Sequence, residues 1–432
     1  MAAKAVDRKK APLILEPVAF DLRLPVCQKS VLSNGVTVYH LDMGTEDTLQ
    51  LNWVFYAGNW HETQKGQAAA TNFLLKNGTS SKDAYAINEH FEYYGSYLNR
   101  ACYNETAEIS LHCLNHHLPH LLPEVAELIT DAVFPEEELA IYRQNAVQRL
   151  KVNLLKSDFV AGRLIDAQLF GVQHPYGRYM MPDDYDGLQR SSLTEFYRHY
   201  YQQGHCLIFA AGKLPKDLLQ QLEDHFGKLP LQPAVKDQFG QPIAVQPAAE
   251  KKLHVTNDPN GVQAAIRLAR PFPGRHHPDF QKALILNNLF GGFFGSRLMA
   301  NIREDKGYTY GIYSYLLNHL RECGWLVSTE AGREVSEATV REIHVEMARL
   351  REKPVDEEEL QMTRNYMIGS ILSDLDGPFQ VIGRWRHLIL NGLDEDYFYK
   401  GLELIRSTTA LELQQLAQHY LKPEDFYEVV VV

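Results

Sequence analysis

The chain carries its own landmarks twice, about 220 residues apart. Glu136-Glu137-Glu138-Leu139 opens a long helical segment with Arg143 beyond it, and Glu357-Glu358-Glu359-Leu360 opens another with Arg364 beyond it. Ser192-Leu193-Thr194-Glu195 leads to His199-Tyr200 and the apolar run Cys206 to Ala210. Thr409-Ala410-Leu411-Glu412 leads in the same way to His419-Tyr420 and Val429 to Val432. Two independent pairs of landmarks at nearly one spacing predict an internal duplication. Acidic residues in the first turn of each long helix fit the positive end of its dipole. A length of 432 residues also exceeds one ordinary core and fits two domains.

The expected division is an N-terminal extension over 1–23, a first domain over 24–228, a Pro/Gln-rich linker over 229–250 and a second domain over 251–432. In the first domain Asn34-Gly35 marks a hairpin within 31–41, followed by a strand over 48–56. Helices are expected near 67–75 and 83–94, strands near 96–101 and 105–113, then a helix near 117–132. One long helix is expected from Pro135 to about Gln168. The second domain repeats the scheme, with a helix near 278–289, strands near 308–318 and 324–330, and helices from Ser336 onward. Strands gathered early and helices late predict an α+β class, each domain a mostly antiparallel sheet with helices packed on one face.

Charge and cysteine usage narrow the partners. Lys+Arg number 43 against 54 Asp+Glu, a formal charge of −11, and no basic run exceeds Arg8-Lys9-Lys10. Nucleic acid, which calls for a basic stripe, is not expected as a partner. Five cysteines, an odd number without a CxxC, predict free thiols in a reducing compartment. The start lacks the apolar stretch of a signal peptide, and no apolar run approaches the ~20 residues of a membrane helix. A soluble, cytoplasmic protein without a membrane partner is expected.

The order of motifs carries a resemblance. Tyr56-Ala57-Gly58, a short helix ending in Gly78-Thr79, Gly95-Ser96-Tyr97-Leu98-Asn99 and Phe134-Pro135-Glu136 follow one another. In the second half come Phe290-Gly291-Gly292, Ser296-Arg297-Leu298, Asn301-Ile302-Arg303-Glu304 and Gly307-Tyr308-Thr309-Tyr310. This series resembles the pitrilysin-type (M16) zinc peptidase family from about Leu24 to the C-terminus, and implies its duplicated LuxS/MPP-like metallohydrolase fold. In that family the short helix carries HxxEH. Two histidines at i and i+4 share a helix face and reach one zinc, and the glutamate takes a proton from the metal-bound water. A further glutamate ligand lies in the long helix.

Counting back from Gly78-Thr79 places those positions at Ala69, Asn72 and Phe73, with the distal one at or near Leu150. None of the four can do the family's work. Alanine, phenylalanine and leucine have no donor atom, and a neutral amide is no base near pH 7. His61, Glu62, Glu89 and His90 lie nearby without restoring the spacing. His116-His117 and His120, like His276-His277-Pro278, sit beside prolines in expected turns. No metal and no cofactor are therefore expected in this chain.

What the resemblance implies is kept is the pair Arg303 and Tyr310, seven residues apart across Gly307. In the family this pair faces the zinc from the opposite domain and binds substrate carbonyls. A guanidinium is a rigid multi-donor fork, and a phenol can donate to a developing oxyanion. The resemblance thus implies a non-catalytic subunit, not a peptidase on its own. It would lend Arg303 and Tyr310 to the zinc site of a partner M16 subunit, as a heterodimer rather than a homodimer, with peptide as substrate. The alternative is a structural or peptide-binding protein of the processing-peptidase or core-subunit type, without a proteolytic role. The glycines of Phe290 to Gly295 lack the GK[ST] ending of a phosphate loop and are expected to allow close backbone approach or a hinge near the inter-domain cavity.

Overall fold

Asn34 and Gly35 make the first turn of the structure, a computed structural model that describes residues 19–235, 242–317 and 319–432. Most of the expected extension 1–23, and the middle of the expected linker 229–250, lie outside the described residues. Gly35 takes φ +87°, and the Asn34 amide donates to the carbonyls of Phe226 and Leu229 at 2.9 and 3.0 Å. The turn joins β1 (Gln28–Val31) to β2 (Thr37–Asp42). Three longer strands follow, β3 (Thr48–Phe55), β4 (Tyr97–Cys102) and β5 (Ala107–Leu114). The sheet is completed by β6 (His205–Gly212) and a two-residue β7 (Gln232–Pro233) beside it. Its order is β1-β2-β6-β3-β5-β4.

The second sheet holds β8 (Lys252–Val255), β9 (Gln263–Phe272), β10 (Thr309–Leu316), β11 (Cys323–Gly332) and β12 (Tyr427–Val431). Its order is β10-β11-β9-β12-β8. Laid on the first sheet, β8, β12, β9, β11 and β10 take the places of β2, β6, β3, β5 and β4. The parallel pairs also correspond: β2 runs parallel to β6, and β8 to β12. The sequence duplication is thus a duplication of topology.

Alternation along the strands shows how both sheets are covered. In β3, Leu49, Leu51, Trp53 and Phe55 are fully buried against helices of their own half, among them Leu118–Asp131 and Arg190–Tyr197. Val54 and Tyr56 point the other way, as do Leu207 and Phe209 of β6. That opposite face is covered by helix Pro378–Leu390, which comes from the second half and brings Val381 and Ile382. The loan is returned. Helix Ser157–Phe170 of the first half lies on the second sheet, with Ala161, Ile165 and Leu169 against Ala265, Ala269 and Val429. Each sheet therefore has its own helices on one face and a helix from the other half on the second. Burying one such Leu or Ile contributes about 1.5–3 kcal/mol.

This exchange corrects one expected element. The long helix expected from Pro135 to about Gln168 is two helices, Glu136–Leu154 and Ser157–Phe170. Lys156 is extended, at φ −98° and ψ 120°, and re-aims the chain from one half to the other. The freed carbonyl of Leu154 accepts from Asn257 Nδ2 at 3.1 Å. Polar ties join the halves elsewhere. Arg386 pairs with Glu108 at 2.7 Å, and Trp385 Nε1 donates to the Pro25 carbonyl at 2.8 Å.

The lent helix carries a charge that its position disfavours. Burial pushes the Asp166 carboxyl up to about 7. The folded-state value lies above the unfolded one, so the native state holds the proton more tightly. The stability this brings is complete below about pH 3.8 and is lost as pH rises through about 7. Asp166→Asn is expected to stabilise the protein by about 1–2 kcal/mol at pH 8, with the gain shrinking towards pH 4. Chemical denaturation at the two pH values measures this; an equal gain at both would contradict it.

Candidate functional site

Helix Gln67–Leu74 is held at its start by charged and polar side chains from outside it. Gly66 precedes it at φ +79°, and the buried Glu62 carboxylate accepts the Ala68 N–H at 3.1 Å. Burial raises the Glu62 pKa in spite of Arg178, which pairs with it at 2.9 Å. Gln67 Oε1 accepts the Thr63 N–H at 3.1 Å, tying the helix to the preceding turn. At the far end Gly78 takes φ +154°, and Thr79 bridges to Ala132. The frame is thus secured without any contribution from a metal.

Each position implied by the resemblance has a different occupant. Ala69 presents only a partly buried methyl. Asn72 is buried, and its amide donates to the Glu108 carbonyl at 3.3 Å and to the Tyr201 hydroxyl at 3.1 Å. Phe73 stands half-exposed with its ring 5.1 Å from that of Tyr142. Leu150 is buried near the end of helix Glu136–Leu154.

The decisive neighbour is Arg100 of β4, which the motif reading missed. Its guanidinium lies 5.2 Å from the centre of the Phe73 ring and donates to the Phe73 carbonyl. Burial draws its pKa down to about 10, with no carboxylate among the groups acting on it. A protonated guanidinium therefore sits against the second-histidine position. Cys102, on the same strand, is no thiolate ligand, since burial pushes its pKa up to about 12. The residues present do not fit zinc: donors are absent and a cation stands beside the place for one. The His61 ring lies tilted against Tyr200 at 5.1 Å, and His90 hydrogen-bonds the His120 carbonyl at 3.0 Å. Among the described residues no three His, Cys, Asp or Glu come together in a group that could hold a metal.

The second half presents a different surface. The glycine loop is a matter of packing: a Cβ at Gly291 would lie 2.8 Å from both Leu298 Cδ1 and Ser314 Cβ. Arg303 lies in the short π-helix Met299–Asp305, with its guanidinium 4.4 Å from the centre of the Phe294 ring. Gly307, at φ +66°, lets the chain enter β10. The register of β10 against β11 shifts between Thr309 and Ile312, a bulge on an edge strand that contains Tyr310. Tyr310 is 93 % exposed. Arg303, Tyr310 and Phe294 line one open depression of about 1030 Å³. Among the described residues no carboxylate pairs with Arg303. Ala69, Asn72, Phe73 and Leu150 lie in the other half and are not among the residues that line this depression.

With that geometry in view, the comparisons with known proteins agree. Residues 187–367 match the family described as Peptidase M16 inactive domain. A zinc protease of Bacillus subtilis, YmxG, is 24% identical over 403 residues, 90% of this chain and 92% of the relative. The crystal structure of a peptidase M16 inactive domain from Pseudomonas fluorescens superposes with a TM-score of 0.83 at 22% identity, covering 94% of this chain and 98% of that one. Residues 187–367 thus resemble the inactive domain of M16 peptidases, and the chain as a whole shares their fold. An M16 fold is shared also with a protease from Helicobacter pylori, at TM-score 0.84, 17% identity, and coverage of 95% and 100%. A chain of complex III2 from Candida albicans has the same fold, at TM-score 0.72, 15% identity, and coverage of 93% and 94%. The matched segment contains Arg303 and Tyr310 and begins well after helix Gln67–Leu74. Among the described residues no helix is long and apolar enough to cross a membrane, and the five cysteines are unpaired.

Proposed function

We propose that this chain is the metal-free subunit of a two-subunit peptidase. It offers Arg303 and Tyr310 to a peptide that is cut at the zinc of a partner M16 subunit. The observation that carries this reading is the state of the pair. Both residues stand on one open depression beside a sheet edge, and Arg303 is not engaged by any carboxylate among the described residues. A peptide lying along the edge of β10 would present its carbonyls to a guanidinium fork and a phenol O–H. Two copies of this chain would supply two such pairs and no metal donors, which favours a heterodimer. The unpaired thiols favour the cytoplasm.

The test is co-expression with an HxxEH-bearing M16 chain from the same genome. The pair is expected to co-purify and to cleave peptides at least about tenfold faster than the partner alone. A pair no faster than the partner alone would overturn the reading and leave a structural or peptide-binding protein.

A further inference from the structure

Away from the Arg303 depression, four helices of the second half line a half-open cavity of about 300 Å³. They are Phe280–Asn287, Glu357–Ser373, Pro378–Leu390 and Glu395–Ser407. Leu284, Ile371, Leu388 and Leu402 make much of its wall apolar. Two guanidinium groups also line it, Arg275 and Arg384. Arg384 is answered by Asp374 at 2.7 Å.

Arg275 has no such answer. Among the described residues no carboxylate pairs with it, and its Nε is buried without an acceptor. The ring of Phe280 lies 5.1 Å away, a weak substitute for a counter-ion. The acidic groups acting on it are Tyr397 and Cys323, and both are neutral at pH 7. Burial raises the Tyr397 phenol and lifts the Cys323 thiol to about 11. His387, on the same wall, is drawn down to about 4 by burial and by Arg275, Arg384 and Arg386. At neutral pH it adds no charge and can still present an N–H. An arginine cannot shed its proton to escape such a place. The Tyr397 phenol is its hydrogen-bonding neighbour. A buried cation answered only by neutral groups is costly, and an anion is what would relieve it.

We propose that this cavity binds a small amphipathic carboxylate. Its anionic head meets Arg275, and its hydrocarbon tail lies among Leu284, Ile371, Leu388 and Leu402. The volume is at the small end of ligand pockets, which suits a chain of about eight carbons rather than a long-chain fatty acid. The ligand would rest against helix Pro378–Leu390, the helix lent to the first sheet, so its occupancy steadies an element that both halves share.

The probe is sodium octanoate, titrated into the full-length chain by calorimetry and followed by thermal unfolding, with n-octanol and octylamine as controls. Octanoate is expected to bind one saturable site and raise the melting temperature, with both controls at least about tenfold weaker. Arg275→Gln is expected to weaken octanoate at least about tenfold while leaving circular dichroism unchanged. Gly401→Leu adds a side chain to the cavity wall and is expected to abolish binding, which keeps the test decisive should Arg275→Gln misfold. No binding at millimolar octanoate, octanol binding as tightly as octanoate, or unchanged affinity in a folded Arg275→Gln chain would each overturn the proposal.

Discussion

Arg303→Ala is expected to lower kcat/KM of the proposed two-subunit peptidase about a hundredfold or more, with subunit association unchanged. The side chain rests on Phe294 and pairs with no carboxylate among the described residues, so its removal breaks little in the free subunit. Its donors would act on substrate carbonyls, where loss of one well-placed donor costs about 10²–10³ in rate. Arg303→Lys should recover little of this, because an ammonium cannot reproduce a planar fork. Tyr310→Phe removes a single neutral hydroxyl and should cost about tenfold. Steady-state kinetics on a peptide substrate, with the partner held saturating, separates the three variants. An Arg303→Ala complex as fast as the parent would remove the pair from the site.

The second large effect concerns the degenerate helix. Restoring the four side chains as Ala69→His, Asn72→Glu, Phe73→His and Leu150→Glu is expected to leave the chain almost free of zinc. The reason is Arg100, whose guanidinium lies against position 73. A divalent ion at roughly 6 Å from that charge meets a repulsion of about 5.5 kcal/mol at an effective dielectric of about 20, or about 10⁴-fold in affinity. Adding Arg100→Ala should bring zinc to about one per chain. Metal analysis of both variants after dialysis decides this. Equal zinc in the two would show that Arg100 does not guard the position. The Asn72→Glu change carries its own cost, since it turns a carboxylate towards the Glu108 carbonyl that Asn72 now satisfies.

The duplication was readable because it rests on order and spacing. The acidic helix starts and the His-Tyr landmarks recur at one offset, and the two sheets repeat one strand order. The exchange of helices was not readable. An amphipathic segment such as Ser157–Phe170 announces that one face is covered, but not which sheet covers it. The break at Lys156 likewise has no glycine or proline to signal it. At the site, Ala69, Asn72, Phe73 and Leu150 are picked out by the resemblance alone, whereas Arg100 reads as one more residue of a strand. Its meaning comes from stacking on a ring 27 positions earlier in the chain. Arg275 is a similar case, since a cation in a turn looks solvated until the fold sets it in the wall of a helical pocket.

The traded helices bear on how such a chain can change over time. Neither repeat finishes its own interior, so a ribosome that has released only the first leaves one broad greasy plane waiting for its sibling. Deleting or separating a repeat would strand the other. Chemistry, by contrast, hangs from a short segment anchored by Glu62, Gln67 and Asn72, none of which needs an ion. The architecture thus lets reactivity drain away from one copy while binding both copies to a common fate.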